Sequence, residues 1–160
     1  MVSTVGAPQA CLIWQWCAFD DLGVRELYAV LALRQAVFVI EQHCLYRDLD
    51  NIDQSAFHLL GWHTSSTGRE LVAYLRCVEP GIKYEEVSLG RVACAMSVRG
   101  SGVGKSLFGE GIRHAEIAFP NTRIRISAQH YLQCFYEQFG FVVTSEPYDE
   151  DGIAHVEMLR

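Results

Sequence analysis

The stretch Arg99-Gly100-Ser101-Gly102-Val103-Gly104-Lys105-Ser106 is the most informative part of the sequence. It lies between an apolar, β-branched segment and an amphipathic one, so it is predicted to join a strand to a helix. Three glycines within five residues let the backbone approach a ligand closely. Their amide N–H groups and the N-terminus of the following helix form an anion site, to which Arg99 and Lys105 add positive charge. A pyrophosphate group is the expected ligand.

Three phosphate-binding patterns compete for this stretch. A Walker A loop requires glycine where Arg99 stands. A dinucleotide fingerprint that starts at Gly100 requires glycine or alanine where Lys105 stands. The third pattern, Arg/Gln-x-x-Gly-x-Gly/Ala, fits Arg99, Gly102 and Gly104. A plain strand-to-helix turn would explain the glycines but not the flanking cations.

The remaining elements follow from hydrophobic periodicity and turn residues. The first half of the chain is predicted to form a strand at 11–19, one long or two short helices between 22 and 42 capped by Asp20 or Asp21, a polar loop at 47–55, and strands at 57–62, 70–78 and 87–96. A helix follows at 103–119, and its inward side chains are expected to be Val103, Leu107, Phe108, Ile112 and Ile117. The chain then forms a strand at 123–127, a short helix at 130–139, and strands at 141–144 and 155–159 around a turn at 149–152. This order predicts one α/β (α+β) domain, residues 1–160, with a mixed central sheet.

Composition narrows the class of protein. The chain has 160 residues, of which 50% are hydrophobic and 20% charged, which is typical of one globular domain. A formal charge of −6 and the lack of a basic stripe disfavour nucleic acid as a partner. No apolar run reaches the roughly 18–20 residues that span a bilayer. The opening residues 1–8 lack the basic and apolar regions of a signal peptide, so we expect a cytoplasmic protein without a membrane partner.

The six cysteines are scattered, and none forms a C-x-x-C pair. This spacing predicts neither a zinc site nor a redox dithiol, and we expect no metal. Reduced thiols buried in a cytosolic core are the expected state.

Together, two segments resemble the motifs of a known superfamily. The glycine-rich stretch is similar to motif A of the GNAT (Gcn5-related) N-acetyltransferases, and the preceding residues 89–94 correspond to the strand that lines the acyl site. Downstream, residues 129–141 resemble the second motif, in which Tyr136, Gly140 and Phe141 match. Gln129 replaces the usual asparagine, and Leu132 replaces the usual alanine. The implied fold is a largely antiparallel sheet with a splayed parallel strand pair and flanking helices.

A narrower resemblance is to the ElaA-like branch of this superfamily. The residues that carry it are Leu33, Arg34, Val37, Phe38, Glu41, Gln42, Tyr46, Asp48, Leu49, Asp50, Asp53, His58, Tyr148, Glu150, Asp151, Gly152, Ile153 and His155. Members of this branch are mostly uncharacterised, so the closer match specifies the fold more than the substrate. The family often forms homodimers, which leaves a homodimer open for this chain.

The resemblance implies direct transfer of an acetyl group from acetyl-CoA to an amine in a ternary complex. It implies that the main chain of Val92, Ala93 and Cys94 holds the pantetheine and the acyl carbonyl, and that residues 99–106 hold the diphosphate. Gln129 and Gln133 complete the cofactor-binding set. Tyr136 is the expected general acid for the departing thiolate. The alternatives are that Val92–Cys94 are ordinary sheet residues and that Tyr136 only packs against the ligand.

The acceptor side is less determined by the sequence. The titratable groups in the segment where the family binds its acceptor are Glu41, Asp48, Asp50, Asp53 and His58, and each is a candidate for the general base. We expect Glu41 to be catalytic and Arg34, Asp48, Asp50, Asp53 and His58 to bind the substrate. Carboxylates there could hold an ammonium group and help remove its proton. Equally, the three aspartates could cap turns of a solvated loop, and His58 could be a core histidine. Direct transfer does not need Cys94 as a nucleophile.

The sequence leaves two other functions open. One is a homoserine-lactone-synthase-like acyltransferase, which would use long acyl donors. The other is an acyl-CoA sensor that keeps the phosphate site without catalysis. The sequence does not identify the acceptor, because a small-molecule amine and a peptide amine present the same reactive group.

Overall fold

The computed structural model describes residues 11–160 as one eight-stranded sheet with helices on both faces. The strands are β1 (Cys11–Ala18), β2 (Ala56–Ser65), β3 (Gly68–Val78), β4 (Val87–Cys94), β5 (Ile124–Gln129), β6 (Val142–Val143), β7 (Tyr148–Glu150) and β8 (Ile153–Leu159). The helices are α1 (Val24–Arg34), which continues as a π-helical segment (Gln35–Glu41), α2 (Val103–Ala118) and α3 (Gln133–Glu137). Short 3-10 turns lie at Phe19–Asp21, Asp53–Ser55, Met96–Val98 and His130–Leu132. The N-terminal residues used to judge a signal peptide lie outside the described range.

The strand order is β1-β2-β3-β4-β5-β8-β6, and β7 also pairs with β8. Only the β4–β5 pair is parallel, and the others are antiparallel. This mixed sheet confirms the predicted α/β class. Within the described range no helix is both long and apolar enough to cross a membrane.

The helices divide the core into two layers. On one face, α1 and the π-helical segment pack on β2, β3 and β4 through Val30, Leu33 and Val37. On the other face, α2 and α3 pack on the strands from β2 to β8, where Leu107 and Phe108 are fully buried. Because side chains alternate along a strand, each central strand contributes to both layers.

The inner face of α2 differs from the prediction at one position. Ile117 is 67% exposed, whereas Gly111 and Ala115 are buried. The buried stripe runs through residues 108, 111, 112 and 115, which follows the spacing of one helix face, and residue 117 lies outside it. Gly111 is needed there because a Cβ at this position would lie 2.8 Å from a methyl group of Leu75.

Two local predictions were also wrong. Helix α1 begins after Gly23 and not after Asp20 or Asp21, which lie in the preceding 3-10 turn. The carboxylate of Glu26 accepts the Gly23 N–H at 3.0 Å, so a side chain from the first turn supplies the cap. Strand β7, which forms a hairpin with β8, was not predicted from the sequence.

The cysteines with described side chains are all free thiols. Cys44 and Cys77 are buried, Cys17 and Cys94 are half-buried, and Cys134 is exposed. Burial raises the pKa of Cys77 to about 12, so this thiol stays protonated. The prediction of buried reduced thiols therefore fits Cys44 and Cys77 but not Cys134.

Candidate active site

Strands β4 and β5 lie side by side for only two residues. The parallel ladder joins Val87 to Ile124 and Ser88 to Arg125, and then stops. Beyond this point β5 pairs with β8 on its other edge, while residues 92–94 have no ladder partner on β5 in the described chain. A cleft therefore opens between the two strands. The main-chain groups of residues 92–94 that point away from β3 border it.

Arg91 lies where the register between β3 and β4 shifts, three residues after the ladder with β5 ends, and such an irregularity bends a strand. Its φ of 52° lies in the left-handed region, which costs a non-glycine residue about 1–2 kcal/mol. Its guanidinium is held by Asp48, with Nε 2.7 Å from Oδ1, and by Asp50, with Nη2 3.3 Å from Oδ2. The same group stacks on the ring of Tyr46 at 5.4 Å. These contacts offset the strain and fix the bend at the mouth of the cleft.

The predicted anion site follows the cleft directly along the chain. Gly100 and Gly102 have φ values of 76° and 89°, and α2 begins at the next residue, Val103. A Cβ on either glycine would meet no protein atom within 4 Å, so open space surrounds this backbone. The exposed residues Lys105 and Ser106 lie in the first turn of α2. Bare amides, a helix N-terminus and open space fit a diphosphate.

Arg99 connects three of the residues that the sequence analysis selected. Its Nη1 lies 2.7 Å from Oε2 of Glu41, at the end of the π-helical segment. Its Nε and Nη2 donate to the main-chain carbonyl of Cys94 at 3.1 and 2.9 Å. The same arginine therefore contacts the expected base and a main-chain group of the expected pantetheine site.

The two glutamines of the expected cofactor-binding set have different partners. Gln129, at the end of β5, donates to Oε1 of Gln42 at 3.3 Å, so the residue after Glu41 contacts the opposite wall of the cleft. Gln133 donates to Glu137 on the same helix at 2.7 Å. The segment Glu41–Gln42 therefore contacts both sides of the cleft, through Arg99 and through Gln129.

Tyr136 lies in α3 among aromatic side chains and is 7% exposed. The rings of Phe108 and Phe135 lie 4.9 and 5.1 Å from it. Burial is the main cause that raises the pKa of Tyr136 to about 12, and electrostatic interaction with Tyr131 adds to it. Its hydroxyl has no hydrogen-bond partner in the described chain and keeps its proton at neutral pH, so it is available as a donor.

The expected acceptor-binding aspartates lie in an ion-pair network. Asp53 Oδ1 accepts from Arg34 Nη1 at 2.8 Å and from Arg76 Nη1 at 2.7 Å. Asp48 pairs with Arg34 and Arg91, and Asp50 pairs with Arg76 and Arg91. Despite burial, the arginines hold the pKa of Asp53 below its usual range. An ammonium group would have to displace these arginines, so the geometry favours a structural role for the network.

His58 is 1% exposed and belongs to the same layer of the protein. Its Nδ1 lies 2.8 Å from the hydroxyl of Tyr74, and its Nε2 lies 3.0 Å from the main-chain carbonyl of Asp53. Since a carbonyl only accepts, Nε2 carries the proton and Nδ1 accepts from Tyr74. Burial lowers the pKa of His58, which keeps the ring neutral. These contacts favour the core-histidine alternative.

Cys94 Sγ lies on the side of β4 that faces α2, 3.8 Å from where a Cβ of Gly104 would stand. Burial raises the pKa of this thiol, and Arg99 offsets only part of that rise. A protonated thiol is a poor nucleophile, which agrees with a direct transfer. Within residues 11–160 no group of three or more metal-binding side chains occurs.

Several residues around the cleft have no role that the sequence alone indicates. Gln42, Tyr148 and Glu150 belong to the ElaA-like pattern, but the sequence does not show which face of the sheet they occupy. Arg91 looked like an ordinary strand residue, because positive φ in a non-glycine residue has no reliable sequence signal. The ion-pair network also has no sequence signal, because Arg34 and Arg76 lie 19 and 23 residues from Asp53, with which both pair.

Comparison with known proteins agrees with this geometry. A family model described as an acetyltransferase (GNAT) domain matches residues 28–160. Protein ElaA of Escherichia coli is 40% identical over 149 residues, which cover 92% of this chain and 95% of that protein. A UPF0039 protein of Synechocystis is 40% identical over 146 residues, with coverage of 91% and 93%.

Two solved structures resemble the whole described chain. A crystal structure of an acyl-CoA N-acyltransferase from Pseudomonas aeruginosa aligns with a TM-score of 0.87 at 38% identity, covering 94% of this chain and 99% of that one. The crystal structure of Escherichia coli ElaA aligns with a TM-score of 0.86 at 39% identity and the same coverage. These similarities confirm the fold and support acyltransferase activity with an acyl-CoA co-substrate. The chain belongs to the GNAT acetyltransferase family, in its ElaA-like branch.

Proposed function

We propose that the protein transfers the acetyl group of acetyl-CoA to a primary amine by direct attack in a ternary complex. The main support for this proposal is that two features follow each other along the chain. The edge of β4 at residues 92–94, which does not pair with β5, is followed within a few residues by the glycine-rich turn before α2. A diphosphate on that turn would place the pantetheine along the open edge. The thioester would then lie in the cleft between β4 and β5.

In the proposed reaction, the nitrogen of a neutral amine attacks the thioester carbonyl carbon. The carbon–sulfur bond breaks, coenzyme A leaves as a thiolate, and the amine loses one proton. Main-chain N–H groups of residues 92–94 that face the cleft are the proposed donors to the oxyanion. The fixed bend at Arg91 supports this role, because donors must be oriented before the charge develops.

Tyr136 is the proposed donor to the leaving thiolate. A phenol with a pKa of about 12 is a weaker acid than a thiol, so its main contribution would be a hydrogen bond to the sulfur anion. For Tyr136→Phe we expect kcat to fall roughly 10- to 100-fold, the loss of one charge-assisted hydrogen bond, with acetyl-CoA affinity nearly unchanged. Steady-state kinetics and calorimetry measure the two effects. The matched control is Tyr131→Phe, whose ring is 72% exposed. Unchanged turnover in Tyr136→Phe would remove this residue from the mechanism.

Glu41 is the proposed general base, acting directly or through a water molecule. Its ion pair with Arg99 means that a bound diphosphate and Glu41 compete for one guanidinium. For Glu41→Gln we therefore expect kcat to fall by about 100-fold or more, while acetyl-CoA binds equally well or more tightly. The control is Glu79→Gln, an exposed carboxylate on the β3–β4 connection. Weaker acetyl-CoA binding with unchanged kcat would contradict both assignments.

An assay of coenzyme A release over a panel of amines tests the proposed function as a whole. We expect turnover with acetyl-CoA and at least one primary amine, and little turnover with long-chain acyl-CoA donors. Binding of acetyl-CoA without turnover of any amine would instead indicate a sensor. Turnover restricted to long acyl donors would indicate an enzyme of the homoserine-lactone-synthase type.

A further inference from the structure

The β5, β7 and β8 strands present a polar face on the side opposite α2 and α3. Residues that lie directly opposite each other in an antiparallel pair share a face, which here groups Ser127 with Glu157 and Tyr148 with His155. The alternate residues Ile126 and Ala128 are buried in the other layer. The polar face therefore forms the wall of the cleft on the side of α1.

The ends of this wall are already occupied by contacts within the protein. At one end, Gln129 contacts Gln42 beside the proposed base. At the other end, Arg125 pairs with Glu86 at 2.8 Å and with Glu157 at 2.8 Å. Ser127 lies between these two points on β5. The middle of the wall is therefore the part that an acceptor could contact.

A short hydrogen-bond chain occupies this middle section. The hydroxyls of Tyr148 and Ser127 lie 2.6 Å apart, and Ser127 Oγ donates to Oε2 of Glu150 at 2.8 Å. Since Ser127 has one proton, Tyr148 donates to Ser127 and the chain ends on the carboxylate. Burial, with the charge of Glu150, raises the pKa of Tyr148, so the phenol remains a donor.

Glu150 has no cation within 4 Å in residues 11–160. Six carboxylates around the cleft are instead paired with arginines: Glu41, Asp48, Asp50, Asp53, Glu86 and Glu157. Glu150 is exposed, and the hydrogen bond from Ser127 goes to its Oε2, so its Oε1 is not involved in that bond. Lys83, on the facing β3–β4 connection, is close enough to interact with Glu150 electrostatically without forming an ion pair.

We propose that Glu150, held by Ser127 and Tyr148, determines acceptor specificity by binding the ammonium group of a cationic amine that carries no carboxylate at that end. This inference rests on the proposed acetyl transfer and specifies its substrate class. In a diamine, one nitrogen would be neutral and attack the thioester, while the other would stay charged against Glu150. A carboxylate at the second position would face Glu150 and be repelled.

Two probes with four carbons each test this directly: putrescine, a diamine, and γ-aminobutyrate, in which a carboxylate replaces one aminomethyl group. With the wild-type protein and acetyl-CoA, we expect kcat/KM for putrescine to exceed that for γ-aminobutyrate by about 10-fold or more. In Glu150→Gln this ratio should fall at least 10-fold, through KM for putrescine, with acetyl-CoA affinity unchanged. Glu146→Gln, an exposed carboxylate before β7, is the matched control.

A binding measurement, which does not depend on turnover, distinguishes failure of this inference from failure of the proposed function. In calorimetry with saturating coenzyme A, putrescine should bind the wild-type protein at least 10-fold more tightly than it binds Glu150→Gln. Wild-type turnover with an unchanged ratio in Glu150→Gln, or equal putrescine binding by both proteins, would overturn the role of Glu150 while leaving acetyl transfer intact. Putrescine binding that depends on Glu150 without any turnover would overturn the proposed function but support the site.

Discussion

Replacement of Asp53 by alanine is expected to lower the free energy of unfolding by about 3–5 kcal/mol, because it leaves one positive charge of the buried network uncompensated. Asp53 Oδ1 accepts from both Arg34 and Arg76, and these arginines are 0% and 3% exposed. Each arginine keeps one other aspartate, but neither can reach water to replace the lost bond. Urea denaturation followed by circular dichroism measures the change.

The control for this variant is Asp20→Ala, an exposed carboxylate that is expected to change stability by less than about 0.5 kcal/mol. The pH dependence of Asp53→Ala gives a second test. The pKa of Asp53 is lowered in the folded protein, so its contribution is complete above the unfolded value of about 3.9 and is lost as pH falls below it. Below pH 4 the stability difference between wild type and Asp53→Ala should therefore shrink. If Asp53→Ala lowers the free energy of unfolding by less than about 1 kcal/mol at neutral pH, the ion-pair network does not stabilise the fold.

Replacement of Gly102 by valine is expected to weaken acetyl-CoA binding by roughly 100-fold or more, since it removes charge-assisted hydrogen bonds of about 1.5–3 kcal/mol each. Gly102 has a φ of 89° and precedes α2. A branched side chain disfavours this conformation, and relief of the strain would turn the amides of the first helical turn away from the diphosphate. Isothermal titration with acetyl-CoA measures the loss.

The chain offers a closely matched control for this variant. Gly81, in the β3–β4 connection, has a φ of 88°, and a Cβ there would also meet no protein atom within 4 Å. Gly81→Val therefore introduces the same side chain with the same local strain, away from the anion site. We expect it to destabilise the protein as much as Gly102→Val does while acetyl-CoA affinity stays nearly unchanged. Equal loss of affinity in both variants would mean that general destabilisation, and not the anion site, explains the effect.

The order of elements could be predicted from sequence because local signals agreed with one another. The alternation in residues 123–127, the apolar spacing of 103–119 and the glycine-rich turn between strand and helix each indicate one structure. Short elements were harder to predict, because three residues, as in β7, are too few to show the alternation of apolar and polar side chains that indicates a strand. At Ile117, an apolar residue on the exposed side of α2 made the predicted stripe too wide.

The glycine-rich turn before α2 was predictable because its backbone freedom and its charge come from a few consecutive residues. The acceptor side was not, because its character depends on pairing between distant segments. Asp53 looks like a solvated loop residue until Arg34 and Arg76 are brought against it by α1 and β3. Conversely, the sequence does not show that Glu150 lacks a cation while six carboxylates around the cleft are paired with arginines.

The central claim is that the turn before α2 binds the diphosphate of an acyl-CoA. The most direct measurement is a calorimetric titration of the purified protein with acetyl-CoA and, separately, with acetyl-pantetheine, which carries the same thioester without the diphosphate and nucleotide. We expect acetyl-CoA to bind at one site per chain, at least about 100-fold more tightly than acetyl-pantetheine, from two or more charge-assisted hydrogen bonds. Equal affinities, or no uptake of acetyl-CoA, would contradict the claim.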